Sequence, residues 1–282
     1  MFKKISYKLF GRIADSYSDY FDALSTQLKQ AGMKYSVSEY VSLLLLSSFL
    51  TFVFVIMAGS VYITITTTYA FYSYTLSIVL ALVSTVGIFA LGYYYPSMKA
   101  KGLQGKINKT LPFTIVYMAT VAASEMNPAE IFKVVSMKGG EIGKECERIY
   151  RDISMLGMDV STAITKAANR TPSNKFAELL WGMLSVIKRG GDLGEYLSDK
   201  AKEFMGDYRR SLNEYSKQIS FYTEIYITLI IVGTLFFIVL SSIMSPLVGG
   251  DILLVQTFLV FFFIPMISAG FLALLKSLSP SE

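Results

Sequence analysis

The sequence contains no histidine and a single cysteine, Cys146. The first absence removes the commonest general base and most zinc and iron sites. The second excludes an internal disulfide and cysteine-cluster metal sites. No Gly-x-x-x-x-Gly-Lys-Ser/Thr loop occurs, so the nucleotide cradle of an ATPase is missing. An enzyme could still run on carboxylates or lysine, but its options are few, and we expect no enzyme, no cofactor and no bound metal. Charge is absent from long stretches of the chain, although the whole carries 26 Lys and Arg against 21 Asp and Glu. A protein that is 53% hydrophobic is too apolar for an ordinary soluble surface.

Four uncharged stretches are long enough to cross a bilayer: Val41–Ile63, Ser73–Tyr95, Ile225–Met244 and Ile252–Leu275. About 20 residues at ~1.5 Å each span the hydrocarbon layer. The polar start, Met1 to Tyr40, does not read as a signal peptide. No Lys or Arg lies in the connections 64–72 and 245–251. By contrast Lys99, Lys101, Lys106 and Lys109 follow the second span, and Arg209, Arg210 and Lys217 precede the third. The positive-inside rule then places both termini and the central segment in the cytoplasm, at the cell (inner) membrane. The Tyr93-Tyr94-Tyr95 run suits an interfacial aromatic belt. Glu224, at the mouth of the third span, suits simple hydration better than a buried functional carboxylate.

The expected organisation is a cytoplasmic amphipathic helix in 1–40 and a transmembrane hairpin in 41–95. A cytoplasmic helical domain in 96–222, a second hairpin in 223–276 and a tail in 277–282 complete it. In the first segment Tyr17, Phe21, Leu24 and Leu28 share a face and Gly32 ends the helix, and Ser36-Val37-Ser38-Glu39 is a capping box for the first span. In the central domain Thr110 with Pro112 can open a helix, and Asn127-Pro128-Ala129-Glu130 opens another. Ile142, Cys146, Ile149, Ile153 and Leu156 form one apolar face that Gly157 stops. Asp159 caps a helix bearing Ala163, Ile164 and Ala167. Thr171 and Pro172 start one with Phe176, Leu179, Leu180, Met183, Leu184 and Ile187 inward. Gly190 and Gly191 end it, and Asp192-Leu193-Gly194-Glu195 is a further Asx-x-x-Glu box. A stripe from Leu193 through Leu197, Phe204, Tyr208, Leu212 and Ile219 to Tyr222 predicts one long helix running into the third span without a proline. The fold class is thus an all-α membrane protein, four spans with a six-helix cytoplasmic bundle between the second and third.

Leu111-Pro112-Phe113, Asn127-Pro128 and Gly140-Glu141-Ile142-Gly143-Lys144-Glu145 come in that order. Leu156-Gly157-Met158-Asp159 before Ala163-Ile164, and then Gly190-Gly191-Asp192-Leu193, follow. In this membrane context the chain resembles the F-domain proteins of type II secretion and type IV filaments, particularly the Tad pilus and archaellum platforms. One unit is present where archaellum platforms resemble two fused units, as in the separate single-unit proteins of Tad systems. The resemblance implies a platform without chemistry of its own, at the base of a filament. It also implies as partners a hexameric secretion ATPase, pilin-like subunits, and a second platform chain, itself or a paralogue.

The candidate partner-binding residues are Glu145, Lys188, Arg189, Asp192, Arg209 and Arg210. Each has a plainer reading. Lys188 to Asp192 is also a cationic helix end, a glycine stop and an N-cap. Arg209 and Arg210 suit membrane lipid headgroups, and Glu145 suits an i,i+3 pair with Arg148. Mixed charge signs through 96–222 argue against nucleic acid. Two alternatives stand beside the platform. A small transporter would show broken helices or midplane charges, and Pro265 is the single irregularity in the spans. A membrane-bound signalling protein with a helical domain would need an ectodomain larger than the short connections.

Overall fold

The computed structural model describes residues 2–16, 22–66, 70–124, 126–248 and 252–277, and all regular structure among them is helical. Two compact units arise, Met1–Lys200 and Ala201–Glu282.

In the first unit α1 (Phe2–Ser16) and α2 (Asp22–Gln30) precede two long apolar helices, α3 (Val37–Thr66) and α4 (Ala70–Ala122). Leu24 and Leu28 are buried as expected, against Ala14, Tyr40, Val41 and Leu44. Tyr17 and Phe21 lie outside the described residues, as do parts of both interspan connections. Gly32 ends the turn after α2 with φ +65°. The glutamate arm of the capping box forms: Ser36 N–H donates to the Glu39 carboxylate at 3.1 Å. On α3 and α4 large apolar side chains stay exposed, Phe54 by 68% and Leu91 by 71%. Such continuous apolar surface needs a hydrocarbon or protein neighbour.

Helix α4 corrects one expectation. The second span was expected to end near Tyr95 and Pro112 to open a new helix, yet a single helix of 53 residues passes through Pro96 and Pro112. A proline leaves the carbonyl four residues earlier without its N–H donor. At Pro96 that carbonyl belongs to Gly92, and the Tyr40 hydroxyl of α3 donates to it at 2.7 Å. The helix continues because its neighbour supplies the missing donor. Tyr40→Phe is expected to lower stability by about 1–2 kcal/mol, read as a lower midpoint of thermal unfolding in detergent. An unchanged midpoint would mean that another donor reaches Gly92.

Beyond α4 lie α5 (Pro128–Ser136), α6 (Gly140–Ser154), α7 (Val160–Arg170) and α8 (Asn174–Arg189). Their starts follow the sequence closely. Asn127 accepts from Ala129 N–H at 3.0 Å, and Asp159 accepts from Ser161 N–H at 3.0 Å. Ile142, Cys146 and Ile149 are buried, but Leu156 is 61% exposed and Asp152 is buried in the same helix. The chain has already turned at Gly157 (φ +64°), which carries Leu156 off the apolar face. Asp152 is tolerated there because Lys166 of α7 meets it at 3.0 Å. Helix α8 starts from Ser173, one residue past the expected Thr171-Pro172. The Ser173 hydroxyl accepts from Phe176 N–H at 3.1 Å and donates to Asn108 of α4 at 2.6 Å. Its far end turns at Gly190, whose φ is +66°. Of the two glycines there, only Gly190 is left-handed.

Helix α9 (Leu193–Tyr226) begins in the first unit, where Leu197 is buried. In the second unit it passes into a π-helical stretch, Ile227–Val232, then α10 (Gly233–Val248), α11 (Ile252–Phe258), a second π stretch (Leu259–Phe263) and α12 (Ile264–Ser277). Along the expected stripe of α9, Ala201 is buried, Phe204, Tyr208, Tyr215, Ile219 and Tyr222 are half-buried, and Leu212 is exposed. The second π stretch sits just before Pro265. Proline's ring crowds the carbonyl four residues earlier, and a widened turn relieves that clash. Span-to-span polar contacts join this unit. Gln256 Nε2 donates to Ser241 Oγ at 2.9 Å, and Tyr226 and Ser268 hydroxyls lie 2.7 Å apart. Among the described residues four helices are long and apolar enough to cross a membrane.

Candidate functional site

Glu145, on α6, is 12% exposed at its side chain and fully engaged. Arg148 donates to one carboxylate oxygen at 2.7 Å, and Arg170, at the end of α7, donates to the other at 2.7 and 3.2 Å. The i,i+3 pair expected from the sequence is present. The Arg170 fork, from 25 residues away, could not be read from spacing. It pins the end of α7 to α6, with both carboxylate oxygens occupied by planar donors. Beside it Cys146 is fully enclosed, and burial, with a smaller contribution from Glu145, raises its thiol far above the ordinary value.

Lys188 and Arg189 are exposed at the end of α8 and form no ion pair among the described residues. Asp192 turns its side chain inward to the backbone. Its Oδ1 accepts from Gly194 N–H at 2.7 Å and Glu195 N–H at 3.2 Å. The corner is seated against the end of α4. A β-carbon on Gly194 would stand 3.4 Å from the Ala122 carbonyl oxygen. Between Tyr95, the last residue of the expected apolar span, and Ala122, α4 is unbroken, and at ~1.5 Å per residue those 27 residues make about 40 Å. The basic corner therefore stands well clear of the bilayer end of this unit. Lys188, Arg189 and Asp192 come together there, while Glu145 belongs to the α6–α7 contact.

In the second unit Arg209 is exposed, and Arg210 lies 3.5 Å from Asp207, both largely in solvent. Exposed pairs of this kind contribute little to stability.

Residues 114–241 match the family described as type II secretion system (T2SS), protein F. Over this stretch the chain is similar to protein F of the type II secretion system. The F domain as matched begins inside α4 and reaches into α10. Two curated relatives agree with it. Flagella accessory protein J of Methanocaldococcus jannaschii is 26% identical over 195 residues, 68% of this chain and 33% of its own. Flagella accessory protein J of Methanococcus voltae is 26% identical over 243 residues, 84% of this chain and 40% of its own. The chain thus spans between a third and two fifths of the length of these relatives. No solved structure matches. With four helices among the described residues long and apolar enough to cross a membrane, this is a multi-pass membrane protein.

Proposed function

We propose that this chain is the membrane platform of a type IV filament-like machine, an archaellum-like, Tad-like or type II secretion assembly. It holds a cytoplasmic ATPase under the site where pilin-like subunits leave the bilayer, and it performs no reaction itself. The observation that carries this reading is an F domain standing on apolar helices, with an exposed basic corner about 40 Å along α4 from the end of the expected span. A soluble partner reaches such a corner without competition from lipid headgroups. Asp192 and Gly190 shape the turn, Lys188 and Arg189 supply the charge, and the Glu145–Arg170 fork holds the neighbouring helices in register. The domain is taken as 96–222, with both termini and this domain cytoplasmic.

Reversing both charges, Lys188→Glu with Arg189→Glu, is expected to weaken binding of the co-encoded ATPase about tenfold or more at low salt. Membrane levels of the variant should not change, because neither side chain is packed. Pull-down from solubilised membranes reads this, and undiminished capture would place the docking surface elsewhere.

The orientation has its own test. Cys146 is enclosed, so it adds no background to thiol labelling of intact cells. A membrane-impermeant maleimide is expected to reach Thr67→Cys and to miss Glu178→Cys until the membrane is opened. Glu178 is exposed on α8, whereas Ser173 would be shielded by burial alone. Labelling of Glu178→Cys in intact cells would invert the topology.

A further inference from the structure

A groove of about 760 Å³ opens in the first unit where the turn after α2 meets the facing sides of α3 and α4. Its lining divides by chemistry. Lys34 and Lys99 stand at one end, Tyr35, Tyr40 and Tyr95 come next, and Leu43, Leu44, Ile88 and Leu91 continue along the spans. Lys34 and Lys99 are exposed, and neither forms an ion pair among the described residues. Lys34 lies three residues before α3 begins, and Lys99 lies four residues past the expected end of the second span. Both therefore sit at the headgroup level of the membrane face that carries the charged segment. Tyrosines are suited to that depth, with an apolar ring and a wet hydroxyl.

We propose that this groove binds one anionic glycerophospholipid, its phosphate taken by Lys34 and Lys99 and its acyl chains laid along Leu43, Ile88 and Leu91. The sequence of surfaces along the groove, cationic then aromatic then aliphatic, is that of such a molecule from headgroup to tail. A transmembrane helix of another protein would match the aliphatic stretch but would bring no anion to the two lysines. Basic clefts between spans at this level are well suited to phosphate headgroups. The Tyr40 hydroxyl is committed to Gly92 and so helps to build the wall of the groove.

The test uses the full chain in vesicles of equal phosphatidylglycerol and phosphatidylcholine, released into native mass spectrometry. One phosphatidylglycerol retained per chain, about tenfold over phosphatidylcholine, is expected from two lysines near the surface. Lys34→Gln with Lys99→Gln should abolish that preference, and Lys34→Arg with Lys99→Arg should keep it. Ser47→Phe should fill the groove and expel both lipids. The Ser47 hydroxyl only donates to its own helix, so the unfolding temperature should hold. Equal retention of the two lipids by the native chain, or a preference unchanged in the glutamine pair, would overturn the proposal. So would inorganic phosphate binding the delipidated chain as well as the phospholipid does. A photo-crosslinker at Leu43 is expected to capture lipid, and capture of a polypeptide would assign the groove to a protein partner instead.

Discussion

Gly182→Val is expected to destabilise the first unit clearly, and the reason is Tyr196. That side chain, from the first turns of α9, lies across α8 at Gly182. A β-carbon there would stand 2.5 Å from Tyr196 Cζ and closer still to its hydroxyl. Two effects oppose each other. Removing a glycine from a helix interior gains up to about 1 kcal/mol, less for a β-branched residue. Overpacking a fitted contact costs about 1–3 kcal/mol, and the tyrosine must also abandon its 3.4 Å hydrogen bond to the Leu179 carbonyl. Overpacking wins for valine, with a net loss of about 2 kcal/mol, and Gly182→Ala should come out close to neutral or mildly destabilising. Thermal unfolding of the detergent-solubilised chain measures both. Adding Tyr196→Leu should recover most of the loss, giving a clear coupling energy in a double-mutant cycle. Additive losses would mean that valine acts through the helix backbone and not through the ring.

Local signals proved readable where the chain satisfies itself within a few residues. The caps at Asn127, Asp159 and Asp192, the box at Ser36 and Glu39, and the stop at Gly157 are all short-range, and each occurs as its residues suggest. The four spans were equally legible, since length without charge suffices. What escaped the sequence was rescue from a distance. Pro96 looked like punctuation because a proline's lost hydrogen bond is visible locally, whereas the Tyr40 donor lies 52 residues from Gly92. Nothing local marks Asp152 as buried, because its partner Lys166 belongs to another helix. The candidate site divides the same way. The charges of Lys188 and Arg189 and the Asp192 cap were legible, but their distance from the membrane depended on α4 running unbroken through two prolines. Glu145 was legible as a pair with Arg148 and illegible as the anchor of Arg170.

A Gly-Gly-Pro insertion after Gln218 is expected to abolish filament assembly while sparing membrane insertion and ATPase docking. Residues 193–226 form one α-helix without proline, and helical backbone continues through the π stretch and α10 to Val248. A helix of 34 residues is about 50 Å long. It resists bending because every interior N–H is tied to a carbonyl one turn earlier. Under the platform reading, force from the ATPase has to reach the spans, and a continuous helix into the third span is suited to carry it. Three inserted residues without helix propensity break that ladder at a cost of about 3 kcal/mol or more for proline alone. They replace a stiff connection by a flexible one. Insertion into the membrane should survive, because the apolar run from Ile225 is untouched. Docking should survive as well, because Lys188 and Arg189 precede the break. Counting filaments, membrane levels and captured ATPase in the same strain separates the three. The π stretch at Ile227–Val232 supplies a control: Gly233→Ala, eight residues or so into the membrane segment, changes the helix without cutting it and should leave filaments intact. Normal filaments from the insertion variant would mean that motion reaches the spans by another element, or that the protein anchors the machine without moving.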